Sequence, residues 1–379
     1  MYEVAQPYFS NQDISWIKKG VEKVLKGQLS TGPYVKEFEE KFAKQVECKY
    51  SVFVTNATAA LEISCKVLGL KEGDDVIVPG ETFVATGTCV TLNGGNLVFA
   101  EVDPDTFCMS LDEIKRRVTK DTKGVIIVHF GGYVSPDTLL IRDYCKNNKL
   151  FLIEDASHAH GASINNNKIG SIGDTGCFSF FSTKILTTGE GGMLTTNRKD
   201  IYDYAIALRE RGRKINSKNE IYDYEWRSCR VPEISALLGL SQLSHLSEWT
   251  KKRNKIASIY NNIIKQNKFL KALPQQNGIL CAYWKHITLI ENKDIDRIDL
   301  SILLKNDYGI KINWAYDPPM HLQPVYKKLY DIEEGALPIT EDIMSRHFHL
   351  PMHVSISQKD ARYIANSLNK AIDKLSFKK

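Results

Sequence analysis

Along this chain, apolar positions fall into two patterns with different periods. Between about residues 50 and 200, short β-branched runs recur: VIVP (76–79), LVFA (97–100), VIIV (125–128) and LFLIE (150–154). Runs that are apolar on both faces and only a few residues long read as strands buried in a parallel sheet. The segments between them carry a helical period, as from Thr58 to Leu68, where Leu61, Cys65 and Leu68 share one stripe. Strands alternating with helices predict an α/β domain with a large mixed, mostly parallel sheet.

A second helical stretch begins near Pro232, a residue tolerated in a first helical turn. Its apolar positions Ile234, Leu237, Leu238, Leu243 and Leu246 predict one long packed face running on to about Ile264. Beyond it, the alternating run AYWKHITLI (282–290) and a final helix after Ser357 suggest a smaller C-terminal α+β domain. At 379 residues the chain exceeds the size at which one core stops growing, so two domains are expected, 1–250 and 251–379. No Gly/Ser-rich or Pro-rich linker marks the boundary.

Composition narrows the class. With 43% hydrophobic and 25% charged residues, the sequence is that of an ordinary globular protein, and no run of about 20 apolar residues could span a bilayer. The first residues, MYEVAQPYFSNQDISW, lack the basic and apolar regions of a secretory signal, so a cytoplasmic location is expected. The eight cysteines show no CxxC pair or repeated spacing and read as reduced thiols. A net charge of +5 is modest, and no recognised module or basic-aromatic stripe accompanies it, which argues against nucleic-acid binding.

Four segments carry candidate chemistry. IEDASHAHGA (153–162) puts Asp155 just past a predicted buried strand, the edge where open α/β sheets bind ligands; by itself it reads equally as a helix cap. GDTGCFSFFSTKILTTGEGG (173–192) offers the Ser179 hydroxyl and then Lys184, which follows an apolar run and precedes a Gly-rich loop. A lysine in a partly buried site has a lowered pKa and becomes a nucleophile, whereas on a surface it is only a solvated charge. VTNATAALEI (54–63) runs a strand end into a helix through Asn56, Ala57 and Thr58, whose free N–H groups suit a phosphate or serve as an ordinary cap. Phe83, in PGETFVAT (79–86), could lie flat against a planar ring or belong to the core. His158 with His160, and His347 with His349, have the i, i+2 spacing of a shared strand face, but no Cys or carboxylate cluster stands at ligand spacing, so no metal site is expected.

Together these segments resemble the DegT/DnrJ/StrS-type aminotransferases, which aminate keto-sugars, commonly sugar nucleotides. The resemblance extends from TGPYVKEFE (31–39) through GDDVIVPGETFVAT, IEDASHAHGA and GDTGCFSFFSTK to LPMH (350–353). It implies the fold type I architecture of aspartate aminotransferase, a homodimer with shared active sites, and pyridoxal phosphate (PLP) as cofactor. Lys184 would hold the cofactor as a Schiff base and shuttle the proton. Asp155 would pair with the pyridine nitrogen, His158 would lie near the ring hydroxyl, and Phe83 would stack on the ring. Ala57, Thr58 and Ser179 would hold the phosphate. Glutamate is the amino donor the resemblance implies, in a ping-pong scheme.

Two segments depart from the family pattern. Where many relatives carry an Asn that reaches the partner subunit's cofactor, this chain has Ser228, in SCRVPE. In NWAYDPPMHLQPVY (313–326), Trp314 and Tyr316 replace the usual His-Tyr pattern. Arg230, Lys311 and His321 are candidate partners for substrate anions, and Trp314 and Tyr316 candidate flat surfaces for a sugar or base. Three rival readings are weighed against this one. A related sugar dehydratase replaces the Schiff-base lysine with His, against which Lys184 speaks. A PLP-binding regulator without turnover would not need the Lys184, Asp155 and Ser179 set. A nicotinamide oxidoreductase would carry a GxGxxG fingerprint, which is missing here.

Overall fold

A computed structural model describes residues 1–215, 217 and 219–376. All four apolar runs, but for Leu150 at the start of the last, lie in strands of one seven-stranded sheet. Its spatial order is Tyr50–Val54, Gly192–Thr196, Thr175–Ser179, Phe151–Asp155, Thr122–Val128, Asp75–Pro79, Asn96–Ala100. The last five pair in parallel, and Gly192–Thr196 runs against both of its neighbours. Because the five parallel strands are covered on both faces, they are buried almost throughout, which is why they read as continuous apolar runs.

The helix expected from Thr58 spans Ala57–Val67 and is buried on more than one stripe. It is enclosed by strands Thr175–Ser179 and Gly192–Thr196 and by helices Ala85–Thr91 and Lys199–Arg209. The long helix expected from Pro232 to Ile264 is instead two, Glu233–Leu243 and Leu246–Ile264. The break falls where Ser244 Oγ donates to the Ser241 carbonyl (2.7 Å), and where Ser241 Oγ and His245 Nε2 both meet Asp13 Oδ1 (2.8 and 2.9 Å). Polar side chains that satisfy backbone and long-range partners here compete with helix continuation, which apolar periodicity does not register.

A second, antiparallel sheet of Leu270–Ala272, His286–Ile290 and His347–Leu350 is flanked by helices Arg297–Tyr308 and Gln358–Ser376, the latter packed along Leu246–Ile264. Its central strand begins only at His286, so the first residues of AYWKHITLI form a turn docked on the large sheet. Ala282 N–H donates to Gly132 O (2.9 Å) and Lys285 N–H to Gly131 O (3.0 Å). Gly132 has φ 88°, and a Cβ there would stand 2.8 Å from both His158 O and Tyr283 N, so only glycine permits this docking. It sets Trp284 and Lys285 beside the C-terminal edge of the parallel strands. No described helix is long and apolar enough to cross a membrane.

Candidate active site

Three strands deliver the central groups to that edge. Successive strand residues point to opposite faces, so Glu154 and Asp155 do different work. Glu154 turns inward and accepts backbone N–H bonds from Gly170 (3.0 Å), Ile172 (2.7 Å) and Gly173 (2.8 Å), anchoring the loop that returns to the next strand. Asp155 faces a cavity of about 470 Å³. Its Oδ2 accepts from Thr86 Oγ1 (2.9 Å) and its Oδ1 from Ser157 N–H (3.1 Å), which fixes the carboxylate in place.

Opposite, strand Tyr50–Val54 leads into helix Ala57–Val67, capped by Asn56, whose side chain accepts from Ala59 N–H (2.8 Å). Ala57 and Thr58, in the first turn of this helix, line the cavity, and Ser179 adds a hydroxyl from a nearby strand end. Gly192 lets these elements meet: a Cβ there would stand 2.2 Å from the Asn56 carbonyl carbon and 2.5 Å from Ala57 N.

Lys184 follows in a turn secured by its own N–H to Phe181 O (2.9 Å) and by Thr188 N–H to Phe180 O (2.9 Å), with Phe178 and Phe180 buried beneath. Its Nζ stands 4.0 Å from the Trp284 ring centroid. Removal from water is the largest influence on this amine and pulls its pKa down to about 7; Asp155 opposes the fall and the cation of Lys285 adds to it. A sizeable neutral fraction near pH 7 makes it a competent nucleophile and base.

His158 is buried and stacks on Trp284 (centroids 3.9 Å apart, 22° between planes). Gly131 N–H donates to its Nδ1 (3.3 Å), so the neutral ring carries its proton on Nε2, which meets the Tyr316 hydroxyl at 3.3 Å. Burial, then the Lys184 charge, hold its pKa well below the usual value, which keeps the ring neutral. Phe83, 52% exposed, forms an open wall of the cavity, with its ring centroid 5.7 Å from that of Tyr316.

The structure thus gathers Ala57, Thr58, Phe83, Asp155, His158, Ser179, Lys184 and Tyr316 around one cavity. The other candidates do not line this cavity. Ser228 and Arg230 sit on an exposed loop, with Ser228 bridged to Glu210 and the Arg230 guanidinium 4.0 Å from the Glu210 carboxylate. His321 is fully buried, bonded to Glu341 (3.0 Å). Trp314 lies under the Arg297 guanidinium (4.4 Å) on another surface, and Lys311, paired with Glu3 (2.7 Å), lines an adjoining cavity that shares Thr183 and Trp284 with this one. Trp284, Thr86 and Lys285 escaped the sequence reading. Thr86 was legible as the last residue of PGETFVAT, but Trp284 and Lys285 are brought in by long-range docking on Gly131 and Gly132. His160 packs between Phe178 and Phe180, and no group of three potential metal ligands occurs among the described residues.

Comparison with known proteins agrees with this geometry. A family model described as the DegT/DnrJ/EryC1/StrS aminotransferase family matches residues 12–369. The chain belongs to that family. Among its relatives, GDP-perosamine synthase of Escherichia coli O157:H7 is 30% identical over 368 residues, covering 97% of each chain. The dTDP-4-dehydro-2,3,6-trideoxy-D-glucose 4-aminotransferase of Saccharopolyspora spinosa is 30% identical over 388 residues, covering 98% of this chain and 97% of its own. Spr1654 from Streptococcus pneumoniae, solved in its PMP form, superposes with a TM-score of 0.90 at 26% identity, over 99% of this chain and 98% of that one.

As a DegT/DnrJ/EryC1/StrS aminotransferase, the chain is a PLP-dependent enzyme of fold type I. The donor set of the cavity fits that cofactor: a helix N-terminus and hydroxyl for a phosphate, a fixed carboxylate for a protonated ring nitrogen, and between them an amine of lowered pKa.

Proposed function

We propose that this chain transfers an amino group from glutamate to a nucleotide-linked keto-deoxysugar, by a ping-pong mechanism centred on Lys184. The observation that carries the reading is the Lys184 amine in the same cavity as the fixed Asp155 carboxylate, where burial pulls the amine's pKa down to about 7. Bound PLP supplies the electron sink for removing and adding a proton at the amine-bearing carbon. In this reading Asp155 holds the proton on the pyridine nitrogen, and Ala57, Thr58 and Ser179 bind the phosphate. His158 donates from Nε2 without adding charge. Lys184 holds the cofactor and moves the proton.

The nucleotide-linked acceptor is supported by the relatives named above, one a GDP-sugar enzyme and one a dTDP-sugar enzyme. The same proposal includes a homodimer with shared active sites, in which the exposed loop carrying Ser228 and Arg230 serves the partner's cavity. It also divides the chain into a cofactor-binding unit, 1–250, and a C-terminal unit, 251–379. The test is spectroscopic. Glutamate alone is expected to shift the near-visible band of the holoprotein, and a nucleotide-linked keto-sugar to restore it. Restoration only by simple α-keto acids would leave an aminotransferase but refute the sugar acceptor.

A further inference from the structure

Beside the cofactor cavity, and sharing Thr183 and Trp284 with it, lies a second cavity of about 480 Å³. Lys285 lines it with only 4% of its surface exposed. Among the described residues no carboxylate pairs with this ammonium; its neighbour is the Trp284 ring, 4.8 Å from Nζ to centroid. The nearby cations differ. Arg253 is occupied by the Tyr283 and Met352 carbonyls (2.9 and 2.8 Å), and Lys311 by Glu3 (2.7 Å). A buried cation without an anionic partner is costly, and the folded chain retains one here. Burial, then Arg253, lower the Lys285 pKa to about 8, as expected of an amine lacking its counter-charge. Asn313 lines the same cavity, and its Oδ1 is engaged by His349 Nδ1 (3.2 Å), which leaves the NH2 group to donate.

We propose that Lys285, with Asn313 beside it, is the subsite for the second carboxylate of a dicarboxylic amino donor. This rests on the aminotransferase reading above and adds the residue that selects the donor. The Lys184 and Lys285 nitrogens lie 4.0 and 4.8 Å from one ring centroid, which bounds their separation at about 9 Å. A glutamate amine and its side-chain carboxylate stand about 5 Å apart by ordinary covalent geometry, and a charge-assisted hydrogen bond adds about 2.8 Å. A donor of that span falls within the bound, and in this proposal its methylenes lie against Trp284. A monocarboxylic amino acid would leave Lys285 unpaired.

Calorimetric titration of the holoprotein with glutarate and butyrate tests this without turnover. The wild type is expected to prefer glutarate, and Lys285→Met to lose that preference by about 10- to 100-fold, the worth of one charge-assisted hydrogen bond. Lys285→Arg should retain part of it. The Lys285→Met protein is expected to melt no lower than wild type, since a buried unpaired charge has been removed. In the donor half-reaction, the variant should raise the half-saturating concentration of glutamate but not of alanine. Equal wild-type affinity for glutarate and butyrate overturns the proposal. So does an unchanged glutarate affinity in Lys285→Met, or a loss confined to nucleoside diphosphate binding. If wild type shows no spectral response to glutamate, the donor reading fails, while the glutarate titration still decides whether the subsite exists.

Discussion

Replacing Glu81 by Gln is expected to flatten the dependence of stability on pH. Glu81 lies behind the site with 0% of its surface exposed, and neither carboxylate oxygen has a hydrogen-bond partner among the described residues. Burial, and then the negative charge of Asp155, hold its pKa well above the ordinary 4.5, so the folded protein keeps a proton there that the unfolded chain releases. Above about pH 4.5 the folded state therefore binds more protons than the unfolded one. Its stability must fall as pH rises, by up to about 1.4 kcal/mol per pH unit until the folded pKa is reached. Gln keeps the shape and the unsatisfied polarity but cannot ionise. The stability of Glu81→Gln minus that of wild type should thus grow with pH above about 4.5, by up to about 1.4 kcal/mol per pH unit, and level off once the folded pKa is passed. Urea unfolding of both proteins at each pH measures this, and titrating groups that do not interact with Glu81 cancel in the difference. Parallel curves would refute the reasoning and show that Glu81 ionises freely in the fold. The consequence reaches the site: a neutral Glu81 places no second negative charge behind Asp155.

Three further outcomes are expected. Because the Lys184 pKa is pulled down to about 7, recapture of PLP by the apoprotein should quicken from pH 6 to pH 8 and then level off; a rate still climbing near pH 10 would place the amine at its ordinary value. Asp155→Asn should retain cofactor yet lose about 100-fold or more in steady-state turnover, since an amide cannot stabilise a protonated ring nitrogen. Gly192→Ala forces a methyl onto the Asn56 backbone, and should cost about 1–3 kcal/mol by urea unfolding and weaken cofactor retention; an unchanged midpoint would mean that the strand and helix start separate at little cost.

Local physics made much of this protein legible in its sequence. The buried strands declare themselves because a parallel sheet covered on both faces admits only apolar runs. Asn56 before a helix, Asp155 at a strand end and Lys184 after FSFFST are signals carried by neighbours in the chain, and the fold sets all three around one cavity. The resemblance of the motifs to an aminotransferase family added the cofactor, which no single residue specifies. What the sequence misjudged or missed depends on partners far along the chain. The helix from Pro232 breaks because Ser241 and His245 reach Asp13, more than 200 residues away. His321 is taken by Glu341 and Lys311 by Glu3, so two apparent anion binders are already paired. Trp284 and Lys285 sit in a run that alternates like a strand, and they reach the site only because Gly131 and Gly132 accept their turn. A charge's partner and a ring's position are set by tertiary contact, because burial and pairing depend on which distant segments meet. The residue types that can do the chemistry were fixed by sequence alone, and which of them are free to do it was decided by the packing.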